Sequence, residues 1–168
     1  MNFVTAVKSG FQNALKFSGR SRRPDYWWFF VFVFAGGFLF SVIDHLAFGP
    51  GREVLIRVFQ VIVFLPFLAV AWRRLQDTGR PGWWVLVPSG IVVASALLAG
   101  SVSRSMFAHV VDQQGPVSAP ISMQDTGLLL ALSLFQIAAG LVIIWWMSRP
   151  SQRGDNRYGP EPRVKRAR

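Results

Sequence analysis

The sequence predicts an all-α fold, an integral membrane four-helix bundle with an N-terminal amphipathic helix lying in the interface. Three observations predict it. Four apolar runs, at about residues 26–46, 54–72, 83–99 and 127–147, approach the ~20 residues that a bilayer-crossing helix needs. All seven tryptophans stand beside arginines at the ends of these runs, where indole rings favour the membrane–water boundary. The basic residues are also one-sided. Five Lys/Arg precede the first run, three lie in the loop 73–82 and seven follow Met147. Fifteen of eighteen therefore share one face if the chain crosses four times, which by the positive-inside rule puts both termini in the cytoplasm.

The bulk numbers agree. The chain has 168 residues, is 52% hydrophobic and has a mean hydropathy of +0.36. The spans leave no room for a separate soluble domain, so residues 1–162 read as one membrane domain with a basic cytoplasmic tail, 163–168. A net charge of +10 in a soluble protein would suggest nucleic acid. Here sidedness explains it, and no nucleic-acid partner is expected. The absence of cysteine excludes disulfides, thiolate metal sites and cysteine nucleophiles. The first run is too long for a signal-peptide core and no A-x-A-like site follows it, so it reads as an uncleaved anchor.

Each element follows in order. Residues 2–17 place Phe3, Val4, Val7, Phe11, Ala14 and Leu15 on one helical face. Such a segment lies in the cytoplasmic interface or packs on the protein's own spans. Gly10 weakens it by about 1 kcal/mol relative to Ala. Pro24 and Asp25 suit the first turn of the first span. Asp44, His45 and the turn Gly49-Pro50-Gly51 close that span on the outside. Arg57, about one turn inside the second span, snorkels outward or pairs with Glu53 or Asp44. Pro66 and Pro88 kink the second and third spans. Residues 100–126, with Arg104, His109, Asp112 and Asp125, form a polar outer loop, and Gln136 is the polar group of the last span.

Three segments stand out: Phe17-Ser-Gly-Arg-Ser-Arg-Arg-Pro-Asp-Tyr-Trp-Trp28, Arg73-Arg-Leu-Gln-Asp-Thr-Gly-Arg-Pro-Gly-Trp-Trp84 and Gly154-Asp-Asn-Arg-Tyr-Gly-Pro-Glu-Pro162. In order and content the chain from about Phe17 to Pro162 resembles the DUF805 family of small bacterial inner-membrane proteins. That resemblance implies a multi-span protein of the inner (cytoplasmic) membrane and brings no biochemical activity with it. Gln76 stands where the family usually shows His, which speaks against metal or proton transfer there. Pro81 stands where Ser is usual and stiffens the turn.

With the four-span topology the three motifs share the cytoplasmic face. Asp77 lies next to Arg73, Arg74 and Arg80 and can pair with any of them. Two readings stay open. In one, Asp25, Asp77 and Asp155 pair with the arginines, brace the loop and tie down the tail, with Asn156, Tyr158 and Gly159 as a capping turn. In the other, surplus arginines hold an anionic headgroup or a phosphorylated ligand, to which the planar guanidinium fork is suited. That second reading names Arg20, Arg22, Arg23, Asp25, Arg73, Arg74, Asp77, Arg80, Trp83, Trp84, Asn156, Arg157 and Tyr158 as the site. It expects an Arg73/Arg74 double Gln variant to lose bound anionic lipid with its fold intact.

No HExxH, GxSxG, P-loop or GxGxxG sequence occurs, so no catalytic residue, metal or cofactor is expected. His45 beside Asp44 reads as a solvated interfacial histidine rather than a proton relay. The sequence thus describes a non-enzymatic inner-membrane accessory protein that binds membrane lipids through anionic headgroups or docks a membrane-protein partner, or a second copy of itself. A small oligomeric transporter or channel for an anionic or lipid-like substrate is the alternative.

Overall fold

Asn2 starts the first helix, α1 (Phe3–Gln12), through a reciprocal cap. Its side-chain oxygen accepts from the Thr5 amide at 3.0 Å, and its own amide donates to the Thr5 hydroxyl at 3.2 Å. In this computed structural model the described residues are 2–49, 52–91, 93–95, 97 and 123–162, with no side-chain description for 123–126 and 129. The basic tail 163–168, the turn residues Pro50 and Gly51, most of the outer loop with its Arg104, His109 and Asp112, and parts of the third apolar run lie outside them.

Every described element is helical, and no strand occurs among the described residues. After α1 come α2 (Arg23–Phe48), α3 (Val54–Asp77), a shorter apolar helix α4 (Gly82–Ser95) whose first turn Gly82–Val85 is 3-10, and α5 (Met123–Ser148). Three of these are long and apolar enough to cross a membrane: Arg23–Phe48, Val54–Asp77 and Leu130–Ser148. Their outward faces carry Phe34, Phe38, Leu46, Val61, Leu134 and Ile137, all exposed, as a lipid-facing surface requires.

The chain divides into two compact units, Met1–Val85 with Trp146–Arg168, and Leu86–Trp145. The first holds the packed aromatic core. Phe29 and Phe67 stack at 6.4 Å, Phe32 meets Phe59 at 5.9 Å, and Phe40 meets Phe59 at 5.0 Å, joining α2 to α3. Gly36 permits the approach: a Cβ there would stand 2.5 Å from the Phe59 ring. Gly10 plays the same part for α1. A Cβ on it would lie 2.3 Å from Phe29, and Phe11 and Phe3 close over Phe29 and Trp28 on either side. Gly10 is therefore a packing requirement, not only the helix weakness that propensity suggests. The α1 face of Ala6 and Gly10 is buried against α2, while Val4 and Leu15 remain exposed.

Asp44 has a specific task. It is 2% exposed, and its two carboxylate oxygens accept from the Leu55 and Ile56 amides at 3.0 and 2.9 Å. It caps α3 from the end of α2, because the side chain of Glu53 at the N-cap position accepts from none of the amides of that turn. Arg57 pairs with Glu53 at 3.0 Å on the exposed surface, so of the two partners the sequence offered it takes the near one. Pro66 is buried within α3.

Candidate functional site

The end of α3 organises the charged residues. Asp77 is its last residue, and the turn after it is closed by Gly79 in the left-handed region (φ 78°) and by the Arg80 amide on the Leu75 carbonyl at 3.1 Å. The chain then doubles back, and Gly82 lies so close to Trp72 that a Cβ would stand 2.1 Å from the indole. Trp84 packs against Trp146 at 5.6 Å, and Trp83 stays exposed.

Asp77 is the hub. Its Oδ1 accepts from Arg20 Nε at 2.9 Å and its Oδ2 from Arg74 Nη1 at 2.6 Å, with all three side chains essentially out of solvent. Neither arginine stops there. Arg20 Nη1 donates to the Gly154 carbonyl at 2.6 Å, and its Nη2 donates to that of Gln152. Arg74 Nε donates to the Met147 carbonyl at 3.1 Å, and its Nη2 to that of Arg149. Arg23 reaches the Arg149 carbonyl as well, at 2.8 Å. The Met147 carbonyl, in the last turn of α5, has no partner within its own helix, and the Arg74 guanidinium takes it up together with the Arg149 carbonyl just past the helix end. The chain wraps further through the Gln152 amide on the Asp77 carbonyl (2.9 Å) and the Ser21 amide on the Arg73 carbonyl (3.1 Å).

The tail motif folds as a short turn. Asn156 and Gly159 exchange amide–carbonyl bonds of 3.2 and 2.9 Å, and the Asn156 side chain donates to the Gln76 carbonyl at 3.0 Å. Tyr158 donates its amide to Asn156 Oδ1, and Arg157 lies 4.7 Å over the Tyr158 ring. Asp155 accepts from the Glu161 amide within the tail and forms no ion pair with an arginine among the described residues.

The structure thus sorts the thirteen site residues. Arg20, Arg74, Asp77 and Asn156 are bonded into the hub, and Arg23 is tied to the tail. Trp84 packs inside. Arg80 leans on the Thr78 hydroxyl at 3.5 Å, and burial, then the charge of Arg149, lower its pKa from the ordinary value. Trp83, Arg157 and Tyr158 form part of the outer surface. Arg22 and Asp25 meet through the Arg22 amide on Asp25 Oδ2 at 3.0 Å, while Arg22 Nε and Asp25 Oδ1 are buried without a partner. Arg73 is 8% exposed and donates from Nε to the Ala69 carbonyl at 3.1 Å.

Arg73 and Arg74 therefore do different work. A double Gln replacement removes the hub along with Arg73, so it does not test anion binding on an intact fold. The sequence also missed Gln152, Ser21 and the carbonyls of Met147 and Arg149. A backbone acceptor carries no residue signature, and only the arginine surplus hinted that acceptors other than acids were needed.

A cavity of about 250 Å³ opens between α1, the connection 13–22 and the facing ends of α2 and α3. Its wall includes Asn13, Lys16, Arg20, Ser21, Asp25 and Arg73. No group of three His, Cys, Asp or Glu able to hold a metal occurs among the described residues.

The model of the DUF805 family, described as "Protein of unknown function", matches residues 14–160. Among curated proteins, inner membrane protein YhaH of Escherichia coli (strain K12) is 39% identical over 80 residues, 45% of this chain and 65% of the relative. Inner membrane protein YhaI of the same organism is 41% identical over 76 residues, 45% of this chain and 64% of the relative. The matched part of this chain thus spans just under two thirds of each relative's length. No solved structure matches. No enzymatic family is indicated, and relatives named as inner-membrane proteins accord with the three long apolar helices.

Proposed function

The chain belongs to the DUF805 family, and from that premise we propose that it is a non-enzymatic inner-membrane accessory protein whose charged end binds anionic lipid headgroups. One observation carries the reading. After the hub has taken Arg20 and Arg74, Arg153 and Arg157 stay exposed, and so do the indoles of Trp28 and Trp83. Interfacial aromatics fix the depth of such a surface, and each basic group near an anionic leaflet contributes about 1 kcal/mol. The exposed apolar residues Phe3, Val4 and Phe11 of α1, with Leu15 just beyond its end, let α1 lie at that same level, as an interfacial helix.

The reading includes four crossings with both termini in the cytoplasm. The start of α2, the end of α3 and the end of α5 are bonded together through Arg23, Arg74 and Asp77. α2 and α3 then make one excursion across the bilayer and back. The apolar helix α4 is the segment that supports a further crossing beside the three long helices.

Lipid analysis of the protein extracted in nanodiscs tests the reading. Phosphatidylglycerol should be enriched around the wild type, and the Arg153→Gln/Arg157→Gln variant should lose that enrichment at unchanged stability. Equal lipid composition in both would overturn it, and a stoichiometric protein found in place of lipid would point to docking.

A further inference from the structure

We propose that the cavity beneath α1 binds one phosphoethanolamine-type headgroup, with its phosphate on Arg73 and Lys16 and its ammonium on Asp25. The site is separate from the outer cations that carry the lipid-enrichment reading.

Hydrogen-bonding capacity is left unused in one small polar space. Arg73 is more than nine-tenths buried, lines the cavity and spends only Nε, on the Ala69 carbonyl. Its two terminal nitrogens carry no bond to any described residue, and they form the planar fork that takes a phosphate through two oxygens. Asp25 lines the same cavity, and its Oδ1 is buried with no partner. The two opposite charges attract each other across the cavity, yet no hydrogen bond or close ion pair among the described residues joins them.

An isolated buried charge is costly, and so is an unbonded carboxylate oxygen. A ligand carrying both signs relieves both at once. A simple anion would satisfy Arg73 and Lys16 but leave Asp25 repelled, and a simple cation would do the reverse. Arg20, also in the wall, already spends Nε on Asp77 and its terminal nitrogens on the carbonyls of Gly154 and Gln152. Asn13 and Ser21 offer neutral polar groups to the remaining phosphate oxygens. At about 250 Å³ the space falls below the roughly 300–1,000 Å³ of pockets for drug-sized ligands, which suits a headgroup and not a whole metabolite. The cavity sits where the apolar sequences of α2 and α3 give way to charge, the depth at which a headgroup lies.

The chemistry comes either from the lipid phosphatidylethanolamine or from free phosphoethanolamine. In the first arm, wild-type protein from nanodiscs holding equal phosphatidylethanolamine, phosphatidylcholine and phosphatidylglycerol is stripped in detergent and weighed by native mass spectrometry. One retained phosphatidylethanolamine per chain is expected, because the quaternary ammonium of choline has no N–H for Asp25 and the glycerol headgroup has no cation. In the second arm, delipidated protein is titrated with free phosphoethanolamine, and binding there without lipid retention assigns the soluble source. Asp25→Asn and Arg73→Gln should each weaken the retained species about tenfold, the contribution of one charge-assisted hydrogen bond. Equal retention of the ethanolamine and choline lipids by the wild type, or no binding in either arm, overturns the proposal even if a variant fails to fold. Phosphatidylglycerol enrichment that persists with an empty cavity would separate this failure from failure of the lipid-enrichment reading.

Discussion

Arg20 Nε donates to Asp77 Oδ1 at 2.9 Å across 57 residues of sequence, with the side chains 1% and 0% exposed. The bond joins the first motif to the second, and the remaining Arg20 donors run on to the carbonyls of Gln152 and Gly154 in the third. Two guanidiniums share one carboxylate, so the hub retains a positive charge, which backbone carbonyls and the nearby Asp25 offset. Removing the acid leaves both cations buried without it.

Asp77→Asn should therefore be among the most destabilising single substitutions in the chain. Breaking a buried pair typically costs about 3–5 kcal/mol. Asp155→Asn, at an exposed tail residue that accepts from the Glu161 amide, should cost well under 1 kcal/mol. Thermal unfolding of both variants in nanodiscs checks this, and equal midpoints would remove Asp77 from the centre of the fold.

Gly10→Ala sets two effects against each other. Alanine favours the helix by about 1 kcal/mol, but its Cβ would stand 2.3 Å from the Phe29 ring, and overpacking costs about 1–3 kcal/mol. The clash should win. Hydrogen exchange of the α1 amides is expected to quicken in the variant, and slower exchange would mean that α1 does not dock on α2 as described.

Asp44→Ala should fray the start of α3, at a cost of about 1–2 kcal/mol, because the carboxylate holds two amides of that turn. Asp44→Asn keeps one acceptor and should lose less. Exchange at Leu55 and Ile56 reports it directly, and unaltered protection in the Ala variant would show that the cap is not needed.

The chain lacks cysteine, so single introduced thiols can map its sidedness without background. A membrane-impermeant maleimide should label Ser18→Cys and Arg153→Cys only from the cytoplasmic face and Arg52→Cys only from the other. Labelling of Arg52→Cys and Arg153→Cys from the same face would contradict the crossings of α2 and α3.

Much of this arrangement was legible in the sequence, and the exceptions share a physical reason. Long apolar runs announced α2, α3 and α5, because bilayer thickness sets a length that composition reveals. The arginine and tryptophan spacing foretold that the three motifs would meet. The pairing did not follow, because Arg20 and Arg74 choose acceptors on Gln152, Met147 and Arg149, whose carbonyls look like any others. Asp44 was read with its neighbour His45, whereas its partners lie 11 and 12 residues on, across a turn. Gly10 was weighed by helix propensity, which has no knowledge of the Phe29 ring.

The central claim is a division of labour among the cations, in which inner arginines hold the fold and outer ones meet lipid. Measuring the unfolding midpoint and the bound phosphatidylglycerol together, on Arg20→Gln and on Arg153→Gln/Arg157→Gln, tests it most directly. The account predicts a large fall in midpoint for the first, and for the second a loss of lipid at unchanged midpoint. Lipid retained in full by the outer variant, or an Arg20→Gln protein as stable as the wild type, would contradict it.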